Sequence, residues 1–227
     1  SKGIRRVIER FIDFNDSANG AKLVNNEDWL DDLNYIDFLR NFGKYFSVNR
    51  MLTFDSVKTR LEREQNLSFL EFNYSILQAF DFLELNKKYD CILQFGGSDQ
   101  WGNIISGIDL IKKQKNKEVY GLTTPLITNS TGAKMGKTAE GAIWLSEDKL
   151  SSFDFWQFWR NTSDNDVINF LKLFTEISIE EIEKYKLNDA TDINKLKIIL
   201  ANEITTNCHG KEKARKAAQE AEKIIGS

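Results

Sequence analysis

The chain has 227 residues, 41% of them hydrophobic and 12% aromatic, which is enough for a packed core in one or two domains. Its formal net charge of −3 excludes a broad basic surface, so any nucleic-acid contact uses local basic patches or basic parts outside these residues. Two cysteines, Cys91 and Cys208, give neither a disulfide framework nor a zinc pattern. No run approaches the ~18 apolar residues of a membrane span, and a reducing, cytoplasmic compartment is expected.

The chain opens Ser1-Lys-Gly-Ile-Arg-Arg, without an initiator Met or an apolar signal core, and reads as a chain cut within a domain. Ile4, Val7, Ile8, Phe11 and Ile12 then recur at helical spacing over 4–14, and a loop follows from Asn15 to Gly20. Residues 28–47 carry Trp29, Leu30, Leu33, Ile36, Phe38, Leu39 and Phe42 in a helical pattern that Gly43 ends. A charged helix is expected over 54–64. A strongly apolar one follows over 68–85, opened by Ser68 with Glu71 three residues on, the pattern of a capping box. A short strand at 91–95 leads through Gly-Gly into a helix from about 99 to 114, and Cys91 within that apolar run reads as a buried thiol. Thr123–Ile127 and Ile143–Leu145 are expected to be extended, flanking a polar loop at 128–141. Beyond residue 150 the pattern is helical throughout, with later stretches at 179–186, 193–206 and 211–225. The composition places a boundary near 146–150, with α/β before it and all-α after.

Three groups of residues could carry chemistry. Tyr74, Gln78 and Asp81 share one face of a helix that is otherwise mostly apolar, so either neighbouring side chains or a bound polar ligand must satisfy them. Gln94-Phe-Gly-Gly-Ser-Asp-Gln-Trp-Gly-Asn103 runs from a strand end into a helix start, where ligands of parallel α/β sheets sit. Its glycines allow close backbone approach and Asp99 can accept ribose hydroxyls, but a tight turn with an Asp N-cap fits the same residues. Lys134-Met-Gly-Lys-Thr138 sets two lysines three apart on a loop, suited to a polyanion, although such a loop is more often a solvated turn; it is no P-loop. Lys112 to Lys117 is a basic run that reads as a solvated face or as a phosphate contact. His209 is the sole histidine, so no metal cluster is expected, and a Ser/His or Cys/His nucleophile could arise only there.

Taken in order, these strings resemble tyrosyl-tRNA synthetase of the bacterial and mitochondrial type, a class I aminoacyl-tRNA synthetase. Gln94-Phe-Gly-Gly-Ser-Asp-Gln-Trp-Gly-Asn is similar to that family's most characteristic segment, and Lys134-Met-Gly-Lys-Thr to its "KMSKS" loop. The likeness extends from Trp29 through Asp37-Phe-Leu-Arg-Asn-Phe-Gly-Lys-Tyr-Phe to Phe158-Trp-Arg-Asn-Thr. The resemblance implies an α/β fold: the second half of a Rossmann-type class I catalytic domain over 1–148, then part of an α-helical anticodon-recognition domain over 149–227. It implies that Tyr74 and Gln78 hold the substrate ammonium, that Asp81 takes the phenolic hydroxyl, and that Gln94 and Gln100 line the tyrosine pocket. It implies ATP contacts at Gly97, Asp99 and Lys137, pyrophosphate stabilisation by Lys134, Lys137 and Thr138, and a dimer interface at Phe69. Lys112, Lys113 and Lys115 fall where the family approaches the tRNA acceptor end.

The implied reaction joins L-tyrosine to ATP, with Mg2+ and no tightly bound cofactor, and passes the tyrosyl group to tRNA(Tyr). The implied state is a cytoplasmic homodimer with no membrane contact. The family's His–Ile–Gly segment and S4-type domain are not within these residues, so this chain alone is expected to be inactive. Two rivals are a tryptophanyl-tRNA synthetase, whose indole has no use for the Tyr74/Gln78/Asp81 face, and a non-catalytic RNA-binding or dimerisation module derived from a synthetase.

Overall fold

A computed structural model describes residues 2–15, 17–138, 141–187 and 193–225, with the backbone alone at 137, 138, 141, 142, 186, 187 and 225. Its residues gather into two compact units, one of Val24–Leu126 and one of Ser1–Leu23 with Ile127–Ser227.

The first unit begins with short helices: α2 (Glu27–Leu30), α3 (Tyr35–Asn41), α4 (Val48–Met51) and α5 (Asp55–Glu62). The helical pattern of 28–47 is therefore broken. The cause is Asn34, whose Oδ1 accepts from Ile36 N at 3.0 Å and Asp37 N at 3.1 Å, capping a new helix where a continuous one would have run. The long helix α6 (Phe69–Tyr89) has the expected capping box: Glu71 N donates to Ser68 Oγ at 3.2 Å, and Ser68 N to Glu71 Oε2 at 3.0 Å. The bond from Ser68 N, with Arg60 at 2.7 Å and Ser68 Oγ donating at 2.8 Å, holds the Glu71 carboxyl down at about 2.

Strand β1 (Leu93–Gly97), helix α7 (Trp101–Lys115) and strand β2 (Tyr120–Thr124) form a βαβ unit, with the strands parallel from Leu93↔Tyr120 to Gly97↔Thr124. Both strands differ from the expected 91–95 and 123–127. Helix α7 ends at Asn116 in the left-handed conformation, which turns the chain early into β2, and β1 pairs in that register. Cys91, expected to be buried, precedes the strand and is only half-buried against the core. On one sheet face Leu93, Phe95, Tyr120 and Leu122 are exposed. The core lies where α6 packs on α7: Phe80, Phe82, Leu83, Leu110 and Ile111 are buried, and the Phe38 ring meets Phe80 edge-on at 5.3 Å.

The second unit starts with α1 (Lys2–Ile8), shorter than the expected 4–14, and continues in the small antiparallel pair β3 (Lys137–Thr138) and β4 (Gly141–Ala142). Helices α8 (Ser152–Arg160), α9 (Asp164–Phe174), α10 (Ile179–Leu187), α11 (Ile193–His209) and α12 (Lys211–Ile225) follow. Their core centres on Phe155, Trp159, Phe170, Leu171 and Leu200. Met135, Ile143 and Leu150 pack against this core, and Arg10 bonds the Cys208 carbonyl at the end of α11. These contacts place residues 127–149, and the N-terminal segment, with the helices. The division of the structure falls at Leu126/Ile127, ahead of the composition change at 146–150.

Phe82 is fully buried between α6 and α7. Phe82→Ala should destabilise the chain by about 3–5 kcal/mol, measured as a lower urea midpoint; a midpoint unchanged from wild type would mean that this helix pair is not the core of its unit.

Candidate active site

The polar row on α6 is satisfied by neighbours at one end and lies open at the other. Asp81 Oδ1 accepts from Trp29 Nε1 at 2.7 Å, and Oδ2 from Asn26 Nδ2 at 3.3 Å. Burial pushes the Asp81 carboxyl above its ordinary range, and the two donated bonds pull the other way. A carboxylate offers about four lone-pair sites, so two protein donors leave room for a further one. Gln78 and Gln100 are joined by Asn103, whose Nδ2 donates to Gln78 Oε1 at 3.0 Å and to Gln100 Oε1 at 3.1 Å. Tyr74 lies one turn before Gln78 on α6 and is exposed. Gln94, on β1, has a buried side-chain oxygen with no hydrogen-bond partner among the described residues. Such an atom costs free energy until a donor meets it.

At the end of β1 the chain turns through Ser98–Gln100 into α7. The Asp99 carboxylate lies over the strand end: a Cβ on Gly97 would lie 2.7 Å from Asp99 Oδ1 and 3.1 Å from Leu126 Cδ2. Glycine at 97 is therefore a condition for placing that carboxylate. A cleft of about 630 Å³ opens beside it, lined in part by Arg60, Ser98, Asp99 and Trp101.

Trp29, Asn26 and Asn103 were not singled out from the sequence as site residues. For Asn103 a signal existed, since it lies three residues after Gln100 in the same string. Trp29 and Asn26 meet Asp81 across 52 and 55 residues, a separation no periodicity reports.

The Lys134–Thr138 loop belongs to the second unit. It springs from a bridge between Thr128 and Lys134, with Asn129 Oδ1 accepting from Ala133 N at 2.9 Å and Thr131 N at 3.2 Å. Gly136 sits at φ 82°, a conformation that glycine takes without strain, between the two lysines. The side chains of Lys137 and Thr138 lie outside the described residues. Of the basic run, Lys113 Nζ donates to the Tyr45 carbonyl at 2.8 Å and Lys117 pairs with Asp90 at 2.6 Å, while Lys112 and Lys115 are exposed. Phe69 and Leu70, at the start of α6, are exposed at 68% and 70%. His209 is buried, with Nδ1 2.9 Å from Ser152 Oγ and Nε2 3.1 Å from the Leu145 carbonyl. The ring is buried and packs on Phe155 at 4.7 Å between centroids, so these two bonds read as a structural tie. No group of three metal-ligating side chains occurs among the described residues, and no described helix is long and apolar enough to cross a membrane.

The family model of class I tRNA synthetases (W and Y) matches residues 1–226. The chain belongs to that family. It is 58% identical over 224 residues to the tyrosine–tRNA ligase of Ruegeria pomeroyi, a match that covers 98% of this chain and 54% of that protein. The tyrosine–tRNA ligase of Pelagibacter ubique is 58% identical over 222 residues, with the same coverage. The chain thus spans about half the length of the curated relatives it matches. Among solved structures, a C-terminally truncated mitochondrial tyrosyl-tRNA synthetase of Aspergillus nidulans superposes with a TM-score of 0.71 at 31% identity, covering 98% of this chain and 64% of that one. The mitochondrial enzyme of Coccidioides posadasii gives 0.72 at 29%, covering 96% and 64%. The fold is thus that of a class I synthetase, a Rossmann-type βαβ portion with a helical portion, as the resemblance implied.

Trp29→Phe should raise the Asp81 carboxyl further, because it removes a donor that favours the charged form and leaves the burial. A carbon-13 titration of the Asp81 carboxyl checks this; an unmoved midpoint would show that the Trp29 bond is idle.

Proposed function

We propose that this chain is part of a tyrosine–tRNA ligase, which activates L-tyrosine with ATP to tyrosyl-adenylate and passes the tyrosyl group to tRNA(Tyr). One observation carries the reading: a half-buried carboxylate, Asp81, fixed by Trp29 and Asn26, one helical turn from the Gln78–Asn103–Gln100 group. Tyr74 and Gln78 would hold the substrate ammonium at one end of that row, with Gln94 and Gln100 along the pocket and Asp81 at the phenolic end. The identity to proteins named tyrosine–tRNA ligases supports the same substrate.

In the activation step the tyrosine carboxylate attacks the α-phosphorus of ATP, a new P–O bond forms, and pyrophosphate leaves with the electrons of the bond that breaks. No covalent bond to the protein is needed, so orientation and charge stabilisation supply the rate. Gly97 and Asp99 at the end of β1 would hold the adenosine ribose. Lys134, Lys137 and Thr138 would meet the charge that builds on pyrophosphate, with Mg2+ entering on the ATP phosphates. Residues 1–148 would serve as the later part of the catalytic domain and 149–227 as part of the anticodon-recognition domain. Lys112, Lys113 and Lys115 would approach the acceptor end of the tRNA, and exposed Phe69 would lie in a homodimer interface of the cytoplasmic enzyme.

In a full-length ligase containing these residues, Lys137→Ala should slow adenylate formation by about a hundredfold and leave tyrosine affinity nearly unchanged, since the contact is realised in the transition state. An unchanged single-turnover rate would remove the loop from the mechanism.

The substrate is tested at Asp81. A phenolic hydroxyl donates a charge-assisted bond to the carboxylate, whereas bound phenylalanine leaves that site desolvated and unpaired. Asp81→Ala in the same full-length ligase should narrow the tyrosine-to-phenylalanine ratio of kcat/KM by roughly ten- to a hundredfold. A ratio that does not move makes Asp81 structural and reopens the tryptophan reading within the family.

A further inference from the structure

We propose that His209 is a positioning residue for the Lys134–Thr138 loop: its Nε2–H holds the Leu145 carbonyl and so fixes the root from which that loop springs. Leu145 lies three residues beyond the end of β4, and Ile143 between them closes the hairpin, its N–H donating to the Gly136 carbonyl at 3.1 Å. A carbonyl only accepts, so the nitrogen 3.1 Å from Leu145 O carries the hydrogen. The ring is 5% exposed and packs on Phe155 at 4.7 Å between centroids, which fixes the direction of that N–H.

The other ring nitrogen makes the anchor independent of protonation. Burial pushes the His209 imidazole below its ordinary range; Arg10 and Lys213 push the same way, and the Leu145 carbonyl and Glu147 oppose them. In the neutral ring Nδ1 accepts from Ser152 Oγ at 2.9 Å. When the ring gains a proton, Nδ1–H donates to Ser152, whose hydroxyl turns to Glu147 Oε1 at 3.0 Å. Nε2–H is present in both forms, so Leu145 stays held.

The neighbouring residues are pinned as well. Arg6 pairs with Asp148 and donates to Ser146 at 2.9 Å, and Lys213 pairs with Glu147. At the other root, Ser130 Oγ donates to the buried Asp166 carboxylate at 3.0 Å. His209 is the member of this set that grips backbone, and backbone is what sets the course of the hairpin.

The proposal leans on the ligase reading only for what the loop does; the anchor itself is read in this chain, without catalysis. Amide hydrogen exchange at Ile143 and Met135 would be followed by NMR in wild type, His209→Gln and His209→Leu. Gln can return an N–H donor toward Leu145, whereas Leu fills the volume and offers none. In His209→Leu these amides should exchange about ten- to a hundredfold faster than in wild type, and in His209→Gln close to the wild-type rate. Equal exchange in the two variants, at whatever level, makes His209 a packing residue and overturns the proposal. Should the Leu variant fail to fold, the nitrogen-15 spectrum of the wild-type ring decides: an Nε2–H tautomer at neutral pH supports the anchor, and an Nδ1–H tautomer overturns it. Failure of the ligase reading would leave these rates untouched, and failure of the anchor would leave the Asp81 specificity ratio untouched.

Discussion

A carboxylate on a helix that is packed on most of its sides must be paired or it destabilises the helix that carries it. Asp81 meets that constraint with Trp29 and Asn26, and much of the first unit follows from it. Asn26 and Trp29 come from the start of the short helix α2, while Leu30, Leu33, Phe38, Phe42 and Tyr45 of the following segments pack on the α6–α7 core. The indole and the amide leave the carboxylate able to accept once more. That surplus acceptor, in a half-buried place, is worth more to a ligand hydroxyl than the same group in water.

The opposite side of the row shows the same economy. Asn103 donates to two glutamine oxygens at once, which orients both amides and leaves their N–H groups for other partners. It can do so because α7 starts within a turn of the β1 strand end, where Gly97 leaves room for the Asp99 carboxylate. The start of α7 and the polar row on α6 are therefore joined: a change at Asn103 reaches Gln100 and Gln78 together.

What was legible in the sequence is what local rules govern. The capping box at Ser68 and Glu71, the shared face of Tyr74, Gln78 and Asp81, and the strand–glycine–helix order at 93–101 all follow from spacing within a turn or two. Boundaries that depend on competition were less legible. Asn34 looked like one more residue of a periodic helix, and its side chain ended the pattern by capping the next. The strands shifted because register is set between β1 and β2, while an apolar run shows only where a strand could be. The donors to Asp81 left no local trace, since an indole on an apolar face is equally a core residue until its partner is known.

The loop at 134–138 illustrates a further limit of composition. By residue type it belongs with the α/β part, being polar, glycine-containing and flanked by extended segments. By contact it belongs with the helices, since Met135 and Ile143 pack on their core and Ser130, Leu145, Glu147 and Asp148 are each tied to a side chain from α1, α8, α9, α11 or α12. A loop tied at both roots has fewer conformations to lose when it meets a polyanion, so less of its binding free energy is spent on ordering. Between the roots Gly132 and Gly136 both sit at positive φ, where glycine turns the backbone without steric cost. Firm roots and a permissive centre are what an element needs if it is to bring charge to a transition state and withdraw it afterwards.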